Sequence, residues 1–432
     1  MRKITLITAI ILTANLLFAQ YNKIDTSFFS EALQEEKMVD IYFPPGYDEN
    51  PDLYYPVIYY LHGWTGDQNS MGTMLSWLQS LINSGTIDPV IMVGADNSPE
   101  PFEGSMYVNS IIWGDYEDYM INDLIAWVET SFRAMPDRDY RGIIGNSMGG
   151  YGAFRYGILH KDKFRALATH GAGGLSTDAE LFESTRQQII NENQPGPPYF
   201  YDYDTDGLFT KIAFLFSAAF TPNINTPQTY IDPPIVEYPL DENAIIIDTV
   251  YTKWQAFDLS HLIHQLSAID SVGIIFACGT NDGFYLYPVH LAFKDTLDLL
   301  GLPYEFYSHD GGHTMPGIFK QRALTFLDSL LMPPGLINKI NQKSQNKTKL
   351  QISNFPNPFT NSTTIQFELS EKGYVELAIW NHLGQEVEKL FEGNKNAGRH
   401  QTVFDASKLP AGIYFCRFKT GNEMKTKKII KL

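Results

Sequence analysis

The run RGIIGNSMGGYGAFRYGI, residues 141–158, joins an apolar segment to a helical one through the sequence Gly-x-Ser-x-Gly. Its start, RGII, predicts a buried strand, and GYGAFRYGI predicts a helix that follows directly. Gly145 and Gly149 stand two positions either side of Ser147, where small residues let strand and helix pass closely while the turn strains the serine backbone and exposes its hydroxyl. The run therefore predicts a nucleophile, Ser147, at the edge of a sheet.

Apolar runs on both sides of this motif alternate with helical stretches. The runs predicted as buried strands are residues 55–63, 89–96, 141–147, 164–173, 273–282 and 304–313, and the predicted helices are residues 115–132, 150–160, 286–300 and 319–331. This alternation is typical of an α/β domain with a doubly wound, mostly parallel sheet. Residues 175–260 interrupt it with Pro-rich and aromatic segments, and we interpret them as an insertion near the carboxyl edge of the sheet, where ligands bind in such folds.

A serine hydroxyl needs a neighbouring imidazole to take its proton before it attacks readily at neutral pH. His313 fits this role best because it follows the last predicted strand, and because the order Ser, acid, His is expected for this motif. The other histidines end that strand or lie on helical stretches, where a structural role is the default interpretation: His309, His261, His264 and His290.

The imidazole in turn needs a carboxylate to fix its tautomer. Asp282 is the first choice because it follows the penultimate predicted strand, in GTNDGF. Asp310 is close enough to His313 to be a turn residue of the same loop, and Asp270 precedes a strand at the wrong end of the sheet. Asp295 and Asp298 fit solvated helix faces.

An oxyanion hole requires two backbone N–H groups, one from the residue after the serine and one from a loop after an early strand. These requirements select Met148 and, in the loop LHGWTG (61–66), Trp64. For His62 in the same loop, a part in catalysis and a structural role in packing the turn fit the sequence equally well.

The segment from Asp202 to Gly207 begins as a calcium-binding loop does, with Asp at every second position. Position twelve of such a loop should be a bidentate Glu, and here it is Ala213. An acidic surface turn is therefore favoured over an ion site. No other set of His, Cys and carboxylate residues near the motifs has metal-ligand spacing, so the sequence predicts a site without metal or cofactor.

The two ends of the chain differ from its body. Residues 1–19 have a charged start, an apolar run shorter than the roughly 20 residues that span a bilayer, and a small-residue exit, which predicts a signal peptide and no membrane span after its removal. Residues 336–350 are polar and aperiodic and predict a linker. Residues 351–432 contain short alternating runs that predict a small β-sandwich, which leaves residues 20–335 as the α/β domain.

Charge is divided unevenly between these parts. Residues 1–335 carry 17 Lys and Arg against 41 Asp and Glu, whereas residues 336–432 carry 15 against 8. An acidic body argues against binding of nucleic acid, because phosphate contacts need clustered Lys and Arg. The two cysteines, Cys278 and Cys416, fall in different predicted domains, so no disulfide framework is inferred.

Taken together, LHGWTG, GNSMGG, GTNDGF and GGHTMPGIF resemble the esterase D group of α/β-hydrolases, which includes feruloyl and acetyl xylan esterases, formylglutathione hydrolases and mycolyl transferases. The resemblance covers roughly residues 35–332. It implies an α/β-hydrolase fold in which Ser147 is the nucleophile, His313 the base and Trp64 part of the oxyanion hole. The insertion matches no subgroup pattern, so the resemblance implies no particular substrate.

The tail separately resembles the C-terminal sorting domain of the type IX secretion system of Bacteroidetes, through NFPNPF (354–359), HLGQEV (382–387), LPAGIYF (409–415) and the basic finish KTKKIIKL. That resemblance implies transit through the periplasm, recognition by the secretion machinery at the outer membrane, and release or surface attachment.

These observations predict a secreted serine carboxylic ester hydrolase that works through an acyl-enzyme on an ester of small-molecule or glycan origin, with a feruloyl or acetyl ester on polysaccharide favoured. Two alternatives stay open at this point. An acyl transferase would use the same three residues and admit an alcohol in place of water. A non-catalytic surface-binding protein would retain the fold without the reaction, although the complete set of reactive residues argues against it.

Overall fold

The computed structural model describes residues 22–175, 179–225, 228–333, 335–336, 351–355, 357, 359–369, 372–381, 385–420 and 423–431. They divide into two compact units, one that extends to Leu336 and one that begins after it. The predicted signal peptide and residues 337–350 of the predicted linker lie outside the described residues. Within the described ranges, no helix has the length and apolar character needed to cross a membrane.

The first unit is organised around an eight-stranded sheet. Its strands are β1 (Asn22–Ser30), β2 (Glu35–Phe43), β3 (Val57–Leu61), β4 (Ile91–Ala95), β5 (Arg141–Asn146), β6 (Ala166–His170), β7 (Gly273–Gly279) and β8 (Glu305–His309). Their order in the sheet is β1-β2-β4-β3-β5-β6-β7-β8. All neighbouring strands from β4 to β8 pair in parallel, and the hairpin of β1 and β2 adds antiparallel strands at one edge.

Helices connect these strands and cover the sheet. They are α1 (Gly72–Asn83), α2 in three consecutive segments (Tyr116–Asp118, Tyr119–Leu124 as a π-helix, and Ile125–Ser131), α3 (Met148–Leu159), α4 (Ala179–Glu192), α5 (Leu208–Phe220), α6 (Asp248–Gln255), α7 (Leu286–Leu300) and α8 (Gly317–Leu330). Shorter elements are a helical turn at Leu259–Leu262 and two-residue strand pairs that join Leu53–Tyr54 to Gly335–Leu336, Asn109–Ser110 to Gly114–Asp115, and Tyr201–Asp202 to Ile231–Asp232.

The apolar core lies on both faces of the sheet, which is why the parallel strands are apolar throughout. One cluster contains Val57, Tyr59 and Phe276, and a second contains Ile58 and Ile275, so successive residues of β3 and β7 enter opposite layers. The doubly wound, mostly parallel α/β sheet predicted from the sequence is confirmed.

The hairpin of β1 and β2 was not among the predicted strands. Residues of β1 are mostly exposed or half-buried, so their sequence lacks the apolar run that marks a buried strand. Residues 175–260, interpreted as an insertion, contain the three helices α4, α5 and α6. Helix α5 is almost entirely apolar, LFTKIAFLFSAAF, and most of its residues are buried.

The second unit contains a three-stranded sheet, β9-β10-β13, and a four-stranded sheet, β12-β11-β14-β15. Phe367, Leu377, Cys416 and Phe418 belong to one buried cluster contributed by both sheets. This arrangement is a small β domain, as predicted. Its strands are β9 (Gln351–Phe355), β10 (Ser362–Leu369), β11 (Gly373–Asn381), β12 (Glu386–Lys395), β13 (Gly398–Asp405), β14 (Gly412–Thr420) and β15 (Glu423–Lys431).

Candidate active site

Ser147 lies on the turn between β5 and α3, in a backbone conformation that non-glycine residues rarely adopt. Its φ is 57° and its ψ is −120°. The turn is closed so tightly that a Cβ at Gly149 would overlap the carbonyl oxygen of Leu61, and one at Gly145 would overlap that of Gly149. The Ser147 N–H donates a hydrogen bond of 2.9 Å to the carbonyl oxygen of His170 at the end of β6. Close packing against Leu61 and the hydrogen bond to His170 therefore keep Ser147 in this strained conformation, as the Gly-x-Ser-x-Gly turn requires.

His313 and Asp282 meet at the carboxyl ends of β7 and β8. The Nδ1 of His313 lies 2.7 Å from Oδ2 of Asp282, whose side chain is fully buried while that of His313 is 21% exposed. The other oxygen, Oδ1, accepts a hydrogen bond of 2.9 Å from the Phe284 N–H. Burial opposes ionisation of Asp282, but the hydrogen bond and charge of His313 and the Phe284 N–H outweigh it and lower the pKa of that carboxyl. Asp282 is thus a buried carboxylate that fixes the orientation of one imidazole.

Ser147 and His313 line a single cavity of about 470 Å³ together with Met148 and Trp64. In the described structure the serine and the imidazole form no hydrogen bond with each other, which is common before a substrate binds. The Met148 N–H is at the first turn of α3, where backbone N–H groups have no partner within the helix and the helix dipole favours negative charge. The structure thus brings all five predicted site residues together.

His62 is a fully buried residue that shapes the loop carrying Trp64. Its Nε2 accepts a hydrogen bond of 2.9 Å from the Asn97 N–H, so the ring proton is on Nδ1, which donates to the carbonyl oxygen of Gly63 at 2.8 Å. Burial lowers the pKa of His62 and keeps it neutral. Because the C=O and N–H of a trans peptide point in opposite directions, the bond to the Gly63 carbonyl also sets the direction of the Trp64 N–H.

None of the remaining candidate histidines is among the described residues that line the cavity with Ser147. His290 is fully buried on α7 and its Nδ1 donates to the carbonyl oxygen of Leu286, 2.8 Å away. His261 and His264 are exposed near the short helical turn that follows α6. His309 ends β8, as predicted, and its Nε2 lies 2.9 Å from Nε2 of His170, a residue that no sequence motif singled out.

The remaining candidate carboxylates are also accounted for. Asp270 lies before β7, at the far end of the sheet, where a hydrogen bond from Lys161 and bonds from Ser267 lower its pKa to about 2. Asp298 and Asp295 pair with Lys294 on the surface of α7. Asp310 contributes its backbone carbonyl oxygen to Asn281 Nδ2 at 2.6 Å, as a loop residue.

The Asp202 loop forms hydrogen bonds within itself. Oδ1 of Asp202 accepts from the N–H groups of Asp204 and Thr205, and Oδ2 of Asp206 accepts from the Asp202 N–H. Among the residues that the structure describes, no group of three or more His, Cys, Asp and Glu side chains is placed to hold a metal ion.

The cavity wall is mostly apolar, and none of the described residues that line it is Asp, Glu, Lys or Arg. The sequence did not assign the apolar residues of the insertion to the cavity, because the aromatic residues there suit a sugar or phenolic pocket and ordinary core packing equally well. Eight apolar lining residues come from helices α4, α5 and α6: Phe182, Leu208, Phe209, Ile212, Ala213, Leu215, Phe216 and Trp254.

Comparison with known proteins agrees with this architecture. A ferulic acid esterase of known structure superposes with a TM-score of 0.50 at 20% sequence identity, over 72% of this chain and 100% of that chain, which places the first unit in the α/β-hydrolase fold. An esterase of Mycobacterium tuberculosis is 26% identical over 155 residues, 36% of this chain and 33% of its own length. An endo-1,4-beta-xylanase/feruloyl esterase of Xylanibacter ruminicola is 30% identical over 131 residues, 29% of this chain and 18% of its own length. The chain therefore spans a third or less of the length of these two relatives.

Family models match both units. Residues 353–432 match the secretion system C-terminal sorting domain, which directs the protein by type IX secretion to the cell surface or the extracellular space. Residues 30–298 match the putative esterase model, which covers Ser147 and Asp282. The chain belongs to the putative esterase family.

Proposed function

We propose that this esterase is a serine carboxylic ester hydrolase in which Ser147 is the nucleophile, His313 the base and Asp282 the residue that orients it. The observation that carries the proposal is the shared cavity: a serine in a strained turn opens into the same space as an imidazole held 2.7 Å from a buried carboxylate. This is the set of groups that nucleophilic acyl transfer needs.

In the first half of the reaction the Ser147 hydroxyl attacks the acyl carbon while His313 Nε2 takes its proton. The negative charge that develops on the carbonyl oxygen is stabilised by the N–H groups of Met148 and Trp64. The bond to the alcohol then breaks, and His313 returns the proton to the departing oxygen. An acyl-enzyme on Ser147 remains.

In the second half, water takes the place of the alcohol. His313 removes a proton from the water, whose oxygen attacks the acyl carbon, and Ser147 leaves with the proton that His313 returns. The carboxylate of Asp282 stays ionised throughout and stabilises the imidazolium formed in each half.

The cavity supports a bulky, uncharged acyl group as the preferred substrate class. An acetyl group would fill little of about 470 Å³ and would leave the apolar wall of α4 and α5 without contact. With no Asp, Glu, Lys or Arg side chain among the described lining residues, a charged acyl group would lose its hydration without an oppositely charged partner. Of the two ester types expected on polysaccharide, the feruloyl ester is therefore favoured over the acetyl ester. The name of the xylanase/feruloyl esterase relative agrees with this choice.

Replacement of Ser147 by Ala tests the nucleophile. We expect S147A to lose turnover of p-nitrophenyl esters and methyl ferulate and to lose labelling by a fluorophosphonate, since an activated serine is required for attack on phosphorus. Ser329 is exposed on α8 and provides the matched control, so S329A should retain both. Labelling that persists in S147A would contradict the assignment.

The size of the acyl group can be tested by narrowing the cavity. Ile212 is a half-buried residue of α5 that lines it, so I212W should lower kcat/KM for methyl ferulate by about tenfold or more while p-nitrophenyl acetate is affected less. Ile245 is 62% exposed and does not line the cavity, so I245W is the control. Equal losses on both esters in I212W, or a wild-type preference for acetate, would contradict the substrate class.

A further inference from the structure

Two histidines that are not among Ser147, Asp282 and His313 connect the segment that carries Ser147 to the loop that carries His313. His170 ends β6 and His309 ends β8, and their rings face each other edge to edge, with centroids 5.2 Å apart and 24° between the ring planes. Nδ1 of His170 is 2.9 Å from Oδ1 of Asn146, the residue before Ser147, and its Nε2 is 2.9 Å from Nε2 of His309. Nδ1 of His309 is 3.1 Å from the N of Gly311, two residues before His313.

The Gly311 N–H fixes which atom donates and which accepts in each of these hydrogen bonds. A backbone N–H can only donate, so Nδ1 of His309 is an acceptor and the ring proton of a neutral His309 is on Nε2. That proton is donated to Nε2 of His170, whose own proton must then be on Nδ1 and is donated to the Asn146 oxygen. Each ring carries one proton, and no position is left for another.

The electrostatic surroundings favour these neutral rings. His170 is fully buried, and its burial, together with the neighbouring His309, lowers its pKa to about 3. Burial lowers the pKa of His309 as well. Both rings are thus uncharged at neutral pH, as the order of donors and acceptors requires.

The two anchors of the chain are the segments that carry the reacting groups. Asn146 precedes the nucleophile, whose own N–H is bonded to the His170 carbonyl oxygen. Gly311 belongs to the loop 310–313, which also accepts a hydrogen bond of 3.1 Å from the Asn281 N–H to the Gly311 carbonyl oxygen. The two rings thus bridge the strand end that leads to Ser147 and the loop that carries His313.

We propose that His170 and His309 are positioning residues: a neutral, directionally hydrogen-bonded pair that sets the approach of His313 to Ser147. The expected effect on rate rests on the proposed function. The positions of the two ring protons do not depend on it. Neither ring is placed to react with the ester.

Two variants of His309 distinguish the hydrogen bond to His170 from the hydrogen bond that His309 accepts from the Gly311 N–H. Asn at this position can still accept from the Gly311 N–H, because Asn side chains bond the backbone two residues on, but it is too short to reach His170. We expect H309N to keep its melting temperature and KM for p-nitrophenyl butyrate and to lose about 10²-fold in kcat. Gln is long enough to donate to His170, so H309Q should have a higher kcat than H309N. H264N, at an exposed histidine, is the control.

Nitrogen-15 NMR of histidine-labelled full-length protein tests the pair without reference to activity. The proton-nitrogen couplings should show His309 protonated on Nε2 and His170 on Nδ1, with both signals assigned from the H309N and H170N spectra. A wild-type kcat in H309N, or His309 protonated on Nδ1, would overturn the proposal. If the wild-type protein neither hydrolyses esters nor reacts with a fluorophosphonate, the proposed function fails, and the NMR result still decides whether the pair is ordered as described.

Discussion

At the scale of single residues, Asp282 carries a charge in a place where burial works against it. Its carboxylate is stabilised by His313 on one oxygen and the Phe284 N–H on the other, so it acts as an acceptor that admits only one tautomer of the imidazole. Charge-assisted bonds of this type are roughly twice as strong as neutral ones, which explains how a buried acid stays ionised.

Asp282→Asn should therefore separate orientation from structure. The amide can donate an N–H to Nδ1 of His313, whereas the carboxylate accepts a hydrogen bond from it. The change favours the tautomer of His313 with its proton on Nε2, which cannot take a proton from Ser147. We therefore expect kcat to fall by up to about 10⁴ with the fold retained. Circular dichroism and ester kinetics measure the two effects. Asp310→Asn is the matched control in the neighbouring loop and should leave kcat unchanged; the opposite pattern would move the acid to Asp310.

Single residues also show how far the sequence could predict the site. Ser147, Asp282 and His313 follow strands in a fixed order, so their positions could be inferred from the ends of apolar runs. His170 is the last residue of a strand, but its proposed role depends on a partner 139 residues away that no local pattern reveals. The role of His62 depends on the direction of one carbonyl group, which the loop sequence alone does not determine.

At the scale of elements, β3 and α3 can cross closely because residue 149 is glycine and has no side chain. Gly149 packs against the backbone of Leu61, whose carbonyl cannot rotate away as a side chain could. Strands followed by helices were predicted because their apolar runs are buried on both faces. The β1–β2 hairpin was not predicted, because most residues of β1 are exposed or half-buried, and the helices α4, α5 and α6 were not predicted individually within the Pro-rich and aromatic insertion.

Gly149→Ala should test this crossing. The added methyl overlaps backbone, so we expect a loss of about 3 kcal/mol or more in the free energy of unfolding, the upper end of what over-packing costs. Gly72, at the start of α1, has no atom within 4 Å of the position that an added methyl would take, so G72A should change stability by about 1 kcal/mol at most. Urea unfolding compares the two, and equal stabilities would show that the strand and helix can separate without cost.

At the scale of the whole molecule, charge and chemistry are divided between the two units. Residues 1–335 carry a net charge of −24 and residues 336–432 a net charge of +7. Every residue assigned to the ester reaction lies in the first unit, and the sorting domain begins after it. Each unit has its own buried cluster, so neither needs the other for its core.

This division predicts that export and catalysis can be separated by cutting the chain near Asn341. A fragment of residues 20–341 should be soluble and retain the kcat/KM of the full chain, because it keeps the complete cavity and both faces of the large sheet. In the native host the same truncation, with its signal peptide, should leave active esterase in the periplasm, because the sorting domain is missing. Ester kinetics of the fragment and activity in periplasmic and extracellular fractions measure the two effects separately. Lost activity would mean that the tail completes the site, and unchanged secretion would mean that export depends on another part of the chain.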